Sequence, residues 1–261
     1  MKGERIIVYE DELNDEFSGS SVKPKVIDSK YKYIIKNPLY KLLSFVTYRL
    51  IATPIAYCYK LFNGVKFVNK KILKDYKGRG YFIYANHTNK SSDVLMPHMI
   101  TFPKKIYTVV NSCNMNIPFI GNGVRTLGAM PIPTGLDGTR NFLQAIEKRS
   151  VEGNPILIYP EAHIWPYYTK IRNFSSSSFK FPVKFSEPSF CFTTTYQKRK
   201  KGKKPRIVIY VDGPFFPKEG LSIKEQQEDL RNQIHACMVE RSRNNNVEMI
   251  KYMKQGEETN D

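Results

Sequence analysis

Short apolar runs separated by polar turns recur through most of the chain, and their composition is typical of buried strands. The clearest run, Tyr81–Ala85, is apolar throughout and ends at a polar loop that begins with Asn86 and His87. A second apolar run, 155–159, also ends in ionisable residues. Strands are predicted at 5–9, just after Val65, and at 81–85, 104–110, 155–159, 181–185, 190–196 and 207–211.

Segments with helical spacing of apolar residues lie between these strands. Helices are predicted at 94–100, 137–149 and 222–252, loop and short helix at 114–133, and a turn at 213–217. The helix at 94–100 carries His98, which we expect to be a packed core residue. Strands that alternate with helices predict an α/β fold, here one domain with a mixed, mostly parallel sheet flanked by helices.

Residues 38–62 are dominated by apolar and aromatic side chains. The run is long enough to span a bilayer, but Arg49 near its middle and Pro54 argue against a full span. Two short helices that meet near Pro54 are predicted instead. Tyrosines beside cations favour contact with a membrane interface, and a pair of ordinary core-packing helices is the alternative. The predicted organisation is an N-terminal strand and connector at 1–37, this interfacial pair at 38–62, the main domain at 63–254 and an acidic tail at 255–261.

The charge is strongly positive, with 41 Lys and Arg against 24 Asp and Glu among 261 residues, a net charge of +17. Such a field attracts nucleic acid, anionic lipid headgroups or phosphorylated substrates, and composition alone does not separate these. The four cysteines are far apart in sequence, without metal-ligand spacing, and no secretory leader is recognised. Free thiols in a reducing compartment are therefore expected.

His87 and Asp93 form the first candidate for chemistry. A neutral histidine is the natural base for an alcohol proton at physiological pH, and a carboxylate on its other ring nitrogen fixes the tautomer. The 155–159 strand ends at Pro160-Glu161-Ala162-His163. Because ligands of open α/β sheets gather where strand ends and loops meet, this is a second candidate wall of the same site.

These segments resemble the glycerolipid acyltransferases typified by 1-acyl-glycerol-3-phosphate acyltransferase, over about Tyr81 to Val211. The N-H-x4-D block of that family is similar to Asn86-His87 and Asp93, with five intervening residues instead of four. Pro118–Gly121 followed by Gly128–Pro133 resembles the second block, and Tyr159–His163 the third, F-P-E-G-T-R. Phe181–Val183 resembles a fourth, short apolar block.

The resemblance implies that His87 is the general base on an acceptor hydroxyl and that Asp93 orients it. The hydroxyl would attack the thioester of acyl-CoA or acyl-carrier protein. Glu161 would hold the acceptor or organise the site, and Asn86 and Gly121 are implied substrate contacts. No metal or prosthetic group is expected, because a thioester is already activated. The implied acceptor is a lysophospholipid, with 1-acylglycerol-3-phosphate first, at the cytoplasmic face of an anionic membrane.

Two departures from the family pattern concern phosphate recognition. The phosphate-binding Arg of the second block falls at about Thr134, and the Thr-Arg of the third block is His163-Ile164. Arg125 or Arg140 is a candidate replacement, since a guanidinium suits bidentate phosphate binding, and His163 is a candidate donor. A lipid or glycan hydroxyl without the phosphate is the alternative acceptor.

The additional residue between His87 and Asp93 would turn a helical side chain by about 100°. We expect a bulge at Ser91 or Ser92, with Asp93 capping the next helix and its carboxylate within hydrogen-bonding reach of a His87 ring nitrogen. Two other classes stay open. One is a catalytically silent, lipid-binding member of the fold. The other is a nucleic-acid-binding protein, suggested by the charge and the basic run 198–206 but supported by no binding motif, so no nucleic-acid partner is expected.

Overall fold

A seven-stranded mixed sheet forms the centre of the protein. The computed structural model describes residues 5–17, 23–116, 121–200, 202 and 204–256. The strand order is β2-β8-β7-β3-β6-β4-β5, and only the β7–β8 pair is antiparallel. The strands are β2 (Lys66–Val68), β3 (Tyr81–Ala85), β4 (Tyr107–Val110), β5 (Ala129–Pro131), β6 (Pro155–Ile158), β7 (Ser189–Gln197) and β8 (Arg206–Phe215). The predicted α/β class with a mostly parallel sheet is confirmed.

Helices cover both faces of this sheet, and the side chains of β3 alternate between them. Tyr81, Ile83 and Ala85 join one buried cluster with helices α2 and α3, whereas Phe82 and Tyr84 join the other with α5, α6 and α7. All five residues are buried, which explains the uninterrupted apolar run. The helices are α1 (Pro38–Phe45), α2 (Thr53–Asn63), α3 (Lys90–Thr101), α4 (Gly121–Thr126), α5 (Thr139–Val151), α6 (Lys180–Phe185) and α7 (Ile223–Ser242).

Three expectations about single elements are wrong. Residues 181–185 belong to helix α6 because Phe181 and Phe185, four positions apart, both stack on Phe82, with centroids 6.2 and 6.3 Å away. The expected turn at 213–217 is largely strand, since β8 continues to Phe215. The three-residue strand β5 was not expected, because it lies in a segment rich in Gly and Pro.

The C-terminal helix is also shorter than expected and is followed by a strand. Helix α7 begins with a capping box between Ser222 and Glu225 and ends at Ser242. Strand β9 (Ile250–Lys254) then pairs in parallel with β1 (Arg5–Tyr9), the expected N-terminal strand. The two ends of the described chain therefore form a small sheet of their own.

Residues 38–63 form a helical arm, in which a π-helical segment, Val46–Ala52, joins α1 to α2. Pro54 lies in the first turn of α2, directly after the π-helical segment, where its missing N–H interrupts the regular helical hydrogen bonding. In the described residues, no helix is long and apolar enough to cross a membrane. The arm nevertheless presents many exposed apolar side chains: Leu39, Leu42, Leu43, Phe45, Leu50, Ile51, Ile55, Leu61 and Phe62.

Candidate active site

His87 lies at the carboxyl end of β3, near the middle of the sheet. The residue before it, Asn86, is held by two hydrogen bonds with the backbone of Thr194 on β7. Its Nδ2 donates to the carbonyl oxygen at 3.1 Å, and its Oδ1 accepts from the N–H at 2.8 Å. The buried amide of Asn86 therefore holds the end of β3 against β7, and its role as a substrate contact stays a prediction.

The expected hydrogen bond between His87 and Asp93 is present, with 2.8 Å between Nδ1 and Oδ2. The same carboxylate oxygen accepts from the N–H groups of Thr88 and Asn89, at 3.0 and 2.9 Å. Three donors therefore converge on one oxygen of Asp93, whose side chain is almost fully buried. This arrangement fixes the orientation of the imidazole.

The helix start differs from the expectation. Residues 90–92 are helical, with neither a bulge at Ser91 nor one at Ser92, and Asp93 lies in the first turn of α3. The N-cap is Asn89, whose Oδ1 accepts from Ser92 N at 3.0 Å. Because the chain between His87 and Asn89 precedes the helix, the 100° rotation per helical residue does not apply there. The longer spacing is accommodated in this extended stretch.

The second ring nitrogen of His87 is open. A carboxylate only accepts hydrogen bonds, so Nδ1 carries the hydrogen and Nε2 has a free lone pair. In the part of the chain that the structure describes, no protein group hydrogen-bonds to Nε2, and 24% of the side chain is exposed. The geometry leaves a base accessible to a ligand from the carboxyl edge of the sheet.

Tyr159 is a residue of the site that the sequence did not single out. Its ring stacks on the imidazole with centroids 4.4 Å apart, and its hydroxyl donates to the carbonyl oxygen of Asp93 at 2.6 Å. Burial raises the pKa of Tyr159 far above its ordinary value, which keeps the hydroxyl a donor. The sequence signal that could have identified Tyr159 is its position at the end of β6, directly before Pro160-Glu161.

Glu161 is buried next to the backbone of His87. Its Oε2 accepts from the backbone N–H of His87 at 3.0 Å and from the guanidinium of Arg172 at 3.2 Å, and its Oε1 accepts from Arg172 N at 3.1 Å. Burial raises the pKa of Glu161, against the opposing effect of Arg172. Of the two roles expected for Glu161, these contacts support organising the site and not holding the acceptor.

Arg172, also missed from sequence, connects this carboxylate to the surrounding loops. It is 1% exposed, lies over the Trp165 ring at 4.8 Å, and donates to the carbonyl oxygens of His163 and Glu12. Trp165 N in turn donates to the carbonyl oxygen of His87 at 3.1 Å. The loop after β6 therefore binds both the N–H and the carbonyl oxygen of His87.

The sequence matches the family model described as Acyltransferase over residues 64–210, more than half of the chain. This chain belongs to the acyltransferase family. Among solved structures it is similar to the 1-acyl-sn-glycerophosphate acyltransferase PlsC from Thermotoga maritima, with a TM-score of 0.53 and 18% sequence identity. The alignment covers 77% of this chain and 86% of that one, and at this identity it shows a shared fold. No curated protein matches the sequence.

The second block of the acyltransferase pattern falls partly outside the described residues, which omit Pro118, Phe119 and Ile120. Gly121 is described and begins α4. A Cβ on it would meet the carbonyl oxygen of Met115 at 2.3 Å. The glycine is therefore required for close backbone packing, and no contact within the described residues connects it to His87.

The candidate replacements for the family's phosphate-binding arginine lie apart from His87. Arg125 stacks over the Tyr31 ring at 4.7 Å and donates to the carbonyl oxygen of Lys32, near the opposite edge of the sheet, so it does not belong to this site. Arg140 is exposed at the start of α5, on the same edge as His87, and its substrate role stays a prediction. Thr134 exchanges hydrogen bonds with the backbone of Ile27.

His163 faces the N-terminal segment instead of His87. Its Nδ1 lies 3.5 Å from a carboxylate oxygen of Glu16, and 29% of its side chain is exposed. In the described residues, no contact joins it to the imidazole of His87. Its role as a substitute donor is therefore not supported by this arrangement.

One group of side chains has the composition of a metal site, although the cysteines are distant in sequence. Ligand atoms of Cys191, Asp212 and Cys237 lie within 4.8 Å of one another, and the two free thiols are 3.7 Å apart. The Asp212 carboxylate is already engaged by Arg241, at 2.9 and 2.6 Å. These residues belong to β7, β8 and α7, and none of them contacts the dyad.

Proposed function

We propose that this protein is an O-acyltransferase that moves a fatty acyl group from a thioester to a hydroxyl of a lysophospholipid-type acceptor. The observation that carries this proposal is the hydrogen-bonded His87–Asp93 pair, with Nε2 open at the carboxyl edge of the sheet. This is a base with a fixed tautomer in a chain of the acyltransferase family.

In the proposed reaction, Nε2 of His87 removes the proton of the acceptor hydroxyl as its oxygen attacks the thioester carbonyl. A C–O bond forms, and collapse of the tetrahedral intermediate breaks the C–S bond. The imidazolium returns the same proton to the departing thiolate sulfur. Asp93 stabilises the imidazolium in between, so no group is consumed and no redox change occurs.

The surrounding residues would hold this base in place without touching the substrate. Tyr159 supports one face of the ring, and the Glu161–Arg172 pair anchors the His87 backbone. A base oriented before the substrate arrives loses little rotational freedom on reaction, which lowers the barrier. We propose that no metal or prosthetic group takes part. Full activity after treatment with EDTA would support the part of this proposal that concerns metals.

The first acceptor proposed is 1-acylglycerol-3-phosphate, and acyl-CoA or acyl-carrier protein is the proposed donor. The similarity in fold to PlsC, titled a 1-acyl-sn-glycerophosphate acyltransferase, supports this choice. A second candidate, acylation of a lipid or glycan hydroxyl without a phosphate, is favoured by Thr134. The phosphate-binding arginine of the family falls at about this position, and the hydroxyl of Thr134 accepts a hydrogen bond from Ile27 N at 3.1 Å.

We also propose that the protein works as a peripheral or monotopic protein at the cytoplasmic face of an anionic membrane. The exposed apolar side chains of the helical arm, together with the net charge of +17, support this. Flotation with anionic vesicles should carry the protein upwards. Replacing Leu42, Leu43 and Leu50 with Ser should weaken flotation, whereas Ile223→Ser, at an exposed position on α7, should not.

The decisive experiment is an assay of thiol release from acyl-CoA with a panel of lysolipids and neutral acceptors. Wild type is compared with His87→Ala and with His98→Ala, a histidine that is buried away from the site. We expect the His87 variant to lose at least about a hundredfold in kcat. Equal turnover by wild type and the His87 variant would instead favour a silent, lipid-binding member of the fold.

A further inference from the structure

A cavity of about 310 Å³ lies at the edge of the sheet opposite to His87. Its wall includes Tyr107, at the start of β4. Tyr107 is in register with Ile156 on β6, which is in register with Phe82 at the start of β3. Since His87 follows Phe82 by five residues, the cavity is displaced from His87 by about 16 Å along the strands. It is therefore separate from the proposed reaction centre.

Positive charge converges on this cavity. Its lining includes Arg49, Lys105, Arg125 and Arg149, and none of its described lining residues is acidic. Arg149 pairs with Glu152, which lies outside the lining. Two of these cations lie over tyrosine rings of the wall, Arg125 at 4.7 Å and Arg149 at 4.5 Å from the ring centroids. These ring contacts hold the guanidinium groups of Arg125 and Arg149 at the wall of the cavity.

Hydrogen-bond donors of the lining remain unused. Arg49 Nη1 and the Tyr31 hydroxyl are buried and have no partner in the described part of the chain. Lys105 is bound to Ser44 Oγ and the Thr126 carbonyl oxygen, at 2.5 and 2.7 Å. Burial, followed by the charges of Arg149 and Arg49, lowers the pKa of Lys105 to about 8. An anion in the cavity would offset the repulsion among these cations and would accept hydrogen bonds from the unused donors.

The mouth of the cavity adjoins the apolar surface of the helical arm. Ser44 and Phe45 of α1 line the cavity, whereas Leu42 and Leu43 of the same turn are exposed. We propose that the cavity binds the phosphate group of an anionic ligand at a second site, distinct from the acyl-transfer centre. The volume of about 310 Å³ is sufficient for a phosphate ester. A lipid headgroup at the membrane and a soluble phosphate ester present the same chemistry.

The test measures binding to the full-length protein in two arms. One arm titrates vesicles of phosphatidylcholine with and without phosphatidic acid, and the other titrates glycerol 3-phosphate and inorganic phosphate by calorimetry. Arg125→Gln and the double variant Arg49→Gln/Arg125→Gln are compared with wild type. The charge-matched control is Lys224→Gln/Arg243→Gln, on the exposed surface at the two ends of α7.

The double variant should weaken binding at least about tenfold in one arm, because charge-assisted hydrogen bonds are lost, while the control should change it less than about twofold. If the double variant loses binding in the vesicle arm alone, the ligand is a lipid headgroup. If it loses binding in the soluble arm, the ligand is a free phosphate ester. His87→Ala should bind like wild type, so this result is independent of the acyl-transfer proposal. The site would be overturned if, in both arms, the double variant bound no more weakly than its control.

Discussion

The Tyr159 ring stacks on the His87 imidazole with centroids 4.4 Å apart, while its hydroxyl donates to the backbone carbonyl oxygen of Asp93 at 2.6 Å. One side chain from β6 therefore contacts both members of the dyad, which come from the end of β3 and the start of α3. Because Tyr159 touches the ring by its face, both imidazole nitrogens stay in the plane available to other partners. It acts as a positioning residue.

Two substitutions separate the stack from the hydrogen bond. Tyr159→Phe keeps the ring and removes the hydroxyl, so we expect kcat to fall about three- to tenfold. Tyr159→Leu removes both contacts and should lower kcat by about 10- to 100-fold. KM for donor and acceptor should stay unchanged in both variants, as steady-state assays can establish. A raised KM with wild-type kcat would instead make Tyr159 a substrate contact.

Asp93→Asn tests the charge of the dyad with little change in shape. An amide stabilises the imidazolium less well and can impose the wrong tautomer, so we expect kcat to fall by about 10²- to 10⁴-fold. Asp212→Asn, which alters a carboxylate paired with Arg241 away from the dyad, is the matched control and should retain kcat within about twofold. Similar losses in both variants would show a general structural effect and remove the special role of Asp93.

Glu161 and Arg172 should matter mainly for stability. Both side chains are almost fully buried, so Glu161→Gln leaves an uncompensated cation and should lower the free energy of unfolding by about 3–5 kcal/mol. Glu187→Gln breaks the pair with Arg79, whose side chain is 48% exposed, and should cost at most about 1 kcal/mol. Urea denaturation measures both. Wild-type stability with a raised acceptor KM in Glu161→Gln would restore its substrate-binding role.

The sequence was sufficient to predict the α/β class and the contact between His87 and Asp93, because both depend on local patterns. The apolar run of β3 indicated a central strand, and the family block indicated a His and an Asp that meet. Helix α6 (Lys180–Phe185) was missed because two phenylalanines four residues apart also suit a short strand. Their packing on Phe82, about a hundred positions earlier in the chain, decides between the two.

Residue identity alone could not separate the candidate arginines. Arg125 is close in sequence to the second family block, yet α4 returns the chain towards the start of β5 and carries that guanidinium to the opposite edge of the sheet. Arg172 has no motif around it, and its role depends on the burial of Glu161, eleven residues earlier. Such pairings depend on the course of the loop after β6, which local periodicity does not encode.

Gly121 and Gly123, both on the short helix α4, form a matched pair. A Cβ at Gly121 would lie 2.3 Å from the Met115 carbonyl oxygen, whereas one at Gly123 would meet nothing within 4 Å. We expect Gly121→Ala to destabilise the protein by about 1–3 kcal/mol. Gly123→Ala should stabilise it by up to about 1 kcal/mol through helix propensity. Thermal unfolding distinguishes them, and equal stability would contradict the packing role of Gly121.

The pH dependence of stability should report on His98. Its ring is buried against Tyr48, its Nε2 contacts Thr53 Oγ1 at 2.7 Å, and its Nδ1 has no partner in the described residues. Burial, then the charges of Arg49 and Lys105, lowers the pKa of His98 from 6.5 to about 4.

Between these two pKa values, the unfolded chain takes up the proton and the folded protein does not. The contribution of His98 to stability is therefore complete above pH 6.5 and is lost as the pH falls towards 4. Denaturant unfolding should show a loss of about 2–3 kcal/mol from this residue between pH 7 and roughly pH 4.5. Other groups titrate in the same range, so the quantity to compare is the difference in slope between wild type and His98→Gln. Identical slopes would mean that His98 is protonated as readily in the folded protein as in the unfolded chain, and that water reaches its ring.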